Sequence, residues 1–278
     1  MEASEITKKR IAEYLSSGKR FDNRELLEYR DIVIETGISK NAEGSARVKF
    51  GETEVLAGVK LDFSAPYTDS EEEGTFMTTV ELLPLSSERF EPGPPRIEAI
   101  ELARVVDRGI RESGFIDFKK LCIKKGEKVW TVFLDIYSIN DAGNLLDAAA
   151  LAAITALKDA KMPVYDEKLE RVKYGEWTKN KLPLGKSMPF TMTFHQVNDT
   201  VILDPAREEE DAADLRLSIA VSSDEDGKPA INAMQLGKDA GLKIENAEKI
   251  IEMAEKKFKE IYPKIEEMIE KAVKAGKK

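Results

Sequence analysis

The stretch 137–163, YSINDAGNLLDAAALAAITALKDAKMP, constrains the fold more than any other part of this chain. A strand expected over 130–139 runs into an Asp-Ala-Gly-Asn turn, and an almost wholly apolar helix leaves that turn. Leu145, Leu146, Ala148, Ala149, Ala150, Leu151, Ala153, Ile154 and Leu157 give the helix no polar face, so it belongs in the interior. Asn144 reads as its N-cap, with Asp147 completing a capping-box-like pair and Pro163 ending the helix. A turn ahead of a buried helix presents free backbone N–H groups and the positive end of the helix dipole, which together can hold an anion.

Scarce residues narrow the chemistry that such a site could perform. One histidine, His195, would have to serve any His-dependent triad or multi-His metal site. It falls out of phase with Phe190, Met192 and Phe194 in a strand-like run, so it is expected to face solvent without a role. One cysteine, Cys122 in the strand-like KLCIK, excludes an internal disulfide and reads as a buried structural thiol. No run is long enough to span a bilayer, and the N-terminal apolar stretch is too short for a secretory signal, so the expected location is cytoplasmic. The formal charge of −9 argues against indiscriminate nucleic-acid binding, yet leaves room for a local basic patch.

The 278 residues suffice for one large domain or two modest ones. A short amphipathic helix (4–15) and a polar loop come first. Alternating strands follow over 30–37, 45–50, 53–63 and 76–82, then a Pro-rich loop (86–95). A helix over 97–113 carries Leu102, Val105, Val106, Gly109 and Ile110 inward, with Arg104, Arg108 and Arg111 opposite. A hairpin across KKGE leads into the buried helix. The Lys-, Gly- and Pro-rich segment 164–189 lacks periodicity and reads as a domain boundary. Strands return on both sides of Asn198-Asp199 and Asp226-Gly227. A long amphipathic helix closes the chain, with Ile250, Ala254, Phe258, Ile261, Ile265, Met268 and Ala272 as its stripe and Pro263 expected to kink or split it. The pattern is α+β with two related halves: an N-terminal helix and loop (1–29), a first domain (30–188) and a second (189–278).

Taken in order, GKRFDNR (18–24), GSARVKFGETEVLAGVKLD (44–62), EPGPPRIEAIELARVVDRGIRESG (91–114), NDAGNLLDAAALAA (140–153) and LDPAREEEDAADLRLSIAV (203–221) resemble the RNase PH family of phosphate-dependent exoribonucleases over most of the chain. EPGPP…AIELARVVDR and DAGNLLDA are most similar to its non-catalytic ring subunits of the archaeal exosome core. The resemblance implies an RNase PH-like fold of two sheet-and-helix halves. It also implies a hexameric ring alternating with a catalytic subunit, RNA-binding cap proteins, and single-stranded RNA degraded 3′ to 5′ by phosphorolysis. No cofactor is implied for this chain; phosphate, and any Mg²⁺, would be used by the partner.

Active members bind attacking phosphate in a Gly-Gly-Ser/Thr-rich turn before the buried helix. The matching positions here are Ala142, Gly143, Asn144 and Leu145, with no hydroxyl or arginine following, so the resemblance implies a degenerate phosphate turn and no catalytic residue. Asp147 adds a negative charge that, at about 4 Å from a phosphate, costs roughly 1 kcal/mol in water and about 4 in a partly buried setting. Of the family's two acidic positions, Asp204 is kept and Glu210 stands where a second aspartate is expected. Nine acidic residues against two arginines over 204–226 could bind Mg²⁺, but the favoured reading is a solvated loop with Asp204 closing a strand, and no metal site is expected.

Arg104, Arg108 and Arg111 could grip successive phosphates, or could pair on the surface with Glu98, Glu101, Asp107 and Glu112. The resemblance favours RNA binding, with Arg89 and Arg96 beside the preceding loop added to the set. The alternatives to a non-catalytic ring subunit are an active phosphorolytic exoribonuclease and a structural module that never touches RNA.

Overall fold

The computed structural model describes residues 3–166, 169–224, 226–238 and 240–276. Helix α1 (Glu5–Ser16) starts at Ser4, whose hydroxyl accepts from the Thr7 amide. Strands β1 (Ile32–Thr36), β2 (Gly44–Phe50) and β3 (Thr53–Ser64) pair antiparallel in succession. Strand β4 (Thr75–Leu82) then leads through α2 (Ile97–Glu112) and the short β5 (Cys122–Lys124) to β6 (Lys128–Asn140). Because β4 and β6 run parallel, the chain between them must cross over, and α2 makes that crossing. The resulting sheet has the order β1-β2-β3-β6-β4, with β5 also paired to β6. Cys122 opens β5 only half-buried, not in the interior as the KLCIK pattern suggests.

Helix α3 (Leu145–Asp159) is buried at every position from Leu146 to Leu157. It packs on β2 and β3 and, on its other side, on the second half of the molecule. Its end comes at Asp159, not at Pro163; the chain has already turned extended at Ala160. Pro163 instead lies inside β7 (Lys161–Asp166), which pairs with β8 (Arg171–Lys181) as a hairpin where the sequence suggested a linker. Strand β8 is largely exposed, β7 is only partly covered, and their register slips twice, so no alternation of apolar residues marks them.

The second sheet has the order β10-β9-β11-β12, built from β9 (Phe190–Val197), β10 (Thr200–Leu203), β11 (Leu215–Ser223) and β12 (Pro229–Gly237). A six-residue helix, α4 (Arg207–Ala212), sits between β10 and β11. Helices α2 and α3 lie between the two sheets, closely enough that a Cβ on Gly109 would meet the Ala220 methyl at 3.2 Å. Helix α1 packs with α4, sealing Ile11 and Leu15 against Val197, Ile202 and Ala213. Every side chain of β9 from Phe190 to His195 is therefore buried, including the phase that a half-exposed strand would turn to water.

Helix α5 (Ile244–Ala275) crosses β9, β11 and β12 and reaches β1, where the Thr36 hydroxyl donates to the Ala272 carbonyl at 3.0 Å. Its buried stripe is Ile250, Ala254, Phe258, Ile265, Ile269 and Val273; Ile261, Met268 and Ala272 are only partly covered. Nor does Pro263 split the helix. Pro263 and Lys259 are both exposed, so the carbonyl that loses its partner meets water. One continuous apolar core joins both sheets.

Candidate functional site

Strand β6 delivers the 141–144 turn and β10 delivers Asp204 to the same point. Gly143 (φ +95°) is required there, because a Cβ would stand 2.6 Å from the Pro205 carbonyl oxygen. Asn144 and Asp204 both hold left-handed backbone, which their short polar side chains tolerate.

The turn is filled by the chain's own groups. Arg30 donates to the Ala142 and Gly143 carbonyls (2.9 and 3.0 Å) and to both Asp204 carboxylate oxygens (2.7 and 2.9 Å). Arg24 reaches Asp204 at 3.0 Å. The Thr53 hydroxyl donates to the Gly143 carbonyl (2.6 Å) and accepts from the Ala142 amide (3.2 Å), while the Gly143 amide goes to Asp141 (3.1 Å). Two amides that an anion would use are thus already engaged.

Asn144 makes no capping bond to the helix backbone. Its amide instead donates to Asp204 (2.8 Å) and Asp147 (3.1 Å). Asp147, expected to complete a capping box, turns toward the second sheet and accepts from the Thr193 amide (3.1 Å), the Thr193 hydroxyl (2.7 Å) and the Tyr29 hydroxyl (3.1 Å). Burial pushes Asp147 up to about 7 despite these donors. Burial, together with the nearby Glu210, raises Asp141 to about 6. Asp204 goes the other way: burial works against its charge, but the Arg30 guanidinium outweighs burial and holds its pKa below the usual range.

A cleft of about 930 Å³ opens beside Leu145 and Leu146, walled by the Pro-rich loop and by α4. Its cations are all spoken for. Arg89 pairs with Asp211 at 2.5 Å, Arg207 with Asp141 and Glu210 at 3.0 and 2.9 Å, Arg96 with Glu91, and Arg216 with Glu101. Lys238 donates to the Glu210 and Ala213 carbonyls. His195 belongs to this wall and is fully buried, contrary to the solvent-facing expectation. Burial first, then Lys238 and Arg216, push its pKa well below the ordinary value, so it stands neutral. Its Nε2 is 3.8 Å from the Glu210 carboxylate, whose own pKa burial raises.

The five arginines proposed for RNA divide. Arg89 and Arg96 line the cleft, each ion-paired. Arg111 is tied down by Asp107 (2.9 Å) and the Phe76 carbonyl (3.1 Å), with its guanidinium 5.6 Å from both the Phe76 and Phe118 rings. Arg104 and Arg108 are exposed on α2 and form no ion pair among the described residues. Of their four expected neutralisers, Glu101 pairs with Arg216 and Asp107 with Arg111, while Glu98 and Glu112 form no ion pair with them among the described residues.

The acidic run is not a wet face at its start. Asp204 and Glu209 are buried, with Glu209 paired to Arg20 at 2.5 Å. Among the described residues no group of three or more potential ligands converges on a metal position. Sequence reading gave no role to Arg20 and Arg24, although both lie in the GKRFDNR motif, or to Arg30, which it placed at the start of the strand expected over 30–37.

The sequence matches domain 1 of the 3′ exoribonuclease family over residues 28–163 and domain 2 over 187–257. It is 42% identical over 269 residues to the exosome complex component Rrp42 of Methanothermobacter thermautotrophicus, covering 97% of this chain and 96% of that one. A chain of the Archaeoglobus fulgidus exosome with RNA bound to the active site superposes with a TM-score of 0.82 at 38% identity, over 93% of this chain and 98% of that one. A chain of an archaeal exosome core gives 0.81 at 35%, over 94% and 97%.

Proposed function

Since the chain belongs to the 3′ exoribonuclease (RNase PH) family, we propose that it is a non-catalytic ring subunit of an archaeal-type exosome. In this reading it supports 3′ to 5′ phosphorolysis by holding a catalytic RNase PH-like partner in place and by contributing to RNA binding. The observation that carries the reading is the filled turn. Amides at Ala142 and Gly143 are engaged by Thr53 and Asp141, Arg30 is spent on Asp204, and Asp147 keeps a carboxyl in the first turn of α3. A phosphate there would meet no free cation.

Arg104 and Arg108 support the RNA contribution, because they are the exposed cations of α2 that the chain leaves unmatched among its described residues. They stand one helical turn apart, a spacing suited to successive backbone phosphates. The wider partners are single-stranded RNA and RNA-binding cap proteins in an alternating hexamer. No cofactor is held by this chain; phosphate, and any Mg²⁺, act on the partner. No helix among the described residues is long and apolar enough to cross a membrane, and the single half-buried Cys122 suits the reducing cytoplasm.

The test is phosphorolysis of single-stranded RNA by the purified chain with and without its catalytic paralogue. Product is expected only from the mixture, and nucleoside diphosphate release by this chain alone overturns the reading.

A further inference from the structure

The β7–β8 hairpin lies apart from the filled turn and the cleft. It hangs from the C-terminal end of α3, whose 15 residues set it about 22 Å from the 141–144 turn. Strand β8 falls within 164–186, an interval that neither family match spans. Over 161–181 six Lys or Arg stand against four acidic residues, a net positive segment in a chain whose net charge is −9.

The hairpin's backbone is arranged to display side chains. Between the Lys161–Lys181 and Pro163–Trp177 pairs, and again between Pro163–Trp177 and Val164–Lys173, β8 uses four residues where β7 uses two and one. Such bulges break the ladder and re-aim side chains. Gly175 (φ +87°) stands at the second bulge with open space where a Cβ would point. Next to it Tyr174 is 56% exposed, with the Lys60 ammonium 4.4 Å from its ring centre, and Trp177 is 37% exposed. Lys161 and Lys181 face one another on one rung, a like-charge pair that costs the hairpin stability unless an anion lies between them. Lys161, Arg171, Lys179 and Lys181 form no ion pair among the described residues.

Exposed rings among unmatched cations are what a single strand of nucleic acid requires: a surface for bases to stack on and charges to track the phosphates. We propose that the β7–β8 hairpin is a second contact site for single-stranded RNA, with Trp177 and Tyr174 stacking on bases and Lys161, Lys179 and Lys181 holding phosphates. The choice of RNA as the polyanion rests on the functional reading above. An acidic protein surface would also use the cations and pack on the rings, and the test below separates it from RNA.

The experiment uses the full chain at low salt with a single-stranded oligouridine of about 20 nucleotides carrying 4-thiouridine, a length exceeding the usual single-module site. Photo-crosslinks are expected in the peptide that holds Tyr174 and Trp177. The K179E/K181E variant, altered only at exposed positions, should bind roughly tenfold more weakly, with a salt slope shallower by about 1.4. Trp177→Ala should cost roughly tenfold, and Trp177→Phe should restore most of it.

The R104E/R108E variant run alongside separates the two sites. Hairpin crosslinks that persist in it support an independent site. Loss of RNA binding in R104E/R108E but not in K179E/K181E overturns the hairpin proposal and leaves the ring-subunit reading standing. Wild-type RNA affinity in K179E/K181E with weakened assembly onto the catalytic paralogue also overturns it, reassigning the hairpin to a protein partner. Phosphorolysis by the chain alone would defeat the ring-subunit reading without touching this result.

Discussion

Two arginine-bearing regions of this molecule treat their charge in opposite ways. Around the α3 N-terminus and its cleft, Arg24, Arg30, Arg89, Arg207 and Arg216 are each matched by a carboxylate of the same chain. On the outer face of α2, Arg104 and Arg108 are left without one among the described residues. The first region has the shape of an anion site but no charge to spare, so it contributes rigidity. The second has no enclosed shape but keeps its charge available, so it can act only on something that arrives from outside. A count of basic residues would rank the regions the other way round.

Arg30→Ala is the hardest blow to the filled turn. Removing one partner of a buried pair leaves Asp204 short of its main counter-charge, and about 3–5 kcal/mol of unfolding free energy should be lost, read by urea denaturation. A loss below about 1 kcal/mol would mean that the turn does not depend on Arg30.

The same region should show a pH signature. Asp147 and Asp141 have pKa values raised in the fold, to about 7 and about 6, so their stabilising contribution is complete below about pH 4 and lost as pH rises through those values. Asp204, depressed, contributes above about pH 4 and loses that contribution as pH falls. Stability measured between pH 5 and 8 should therefore decline in the wild type, and the gap between wild type and Asp147→Asn should narrow across that window by roughly 2–4 kcal/mol. A gap that stays constant would show that Asp147 is ionised throughout.

The α2 face should behave in the reverse manner. The R104E/R108E chain should keep its stability within about 0.5 kcal/mol, while RNA binding by the ring assembled with the catalytic paralogue drops roughly tenfold or more and depends less steeply on salt. Unchanged RNA binding would erase the contrast between the regions. The smallest effect belongs to Arg96→Ala, which removes an exposed pair with Glu91 and should shift unfolding by less than about 0.5 kcal/mol.

What the sequence discloses is whatever is set by periodicity within one element. The unbroken apolar run of α3 predicts its burial, and the spacing of Leu102, Val105, Val106, Gly109 and Ile110 predicts the inner face of α2. What it conceals depends on which surface lies opposite. His195 follows a sound alternation rule and is still buried, because α1 and α4 cover a sheet face that an isolated strand would leave wet. Asn144 and Asp147 have cap-like spacing, but Asp204 and Thr193 compete for their side chains from more than 40 residues away. The Arg-to-carboxylate matching that decides between an open and a filled site is wholly of this second kind, since Glu101 and Asp107 were equally eligible to neutralise Arg104 and Arg108.

The clasp on Asp204 also has a consequence in time. Arg24 and its aspartate are separated by 180 residues, so during synthesis the N-terminal arm emerges long before the group that anchors it. At about 5–20 residues per second the wait is roughly 10–40 s. Over that interval Arg20 and Arg30 lack their Glu209 and Asp204 partners, and Arg24 has only local ones, the Asp22 carboxylate at 2.7 Å and the Glu28 carbonyl at 2.8 Å. The arm is thus made well before the groups that anchor it, and it can fasten residues 20–30 to the second half of the molecule only once Asp204 and Glu209 have been added.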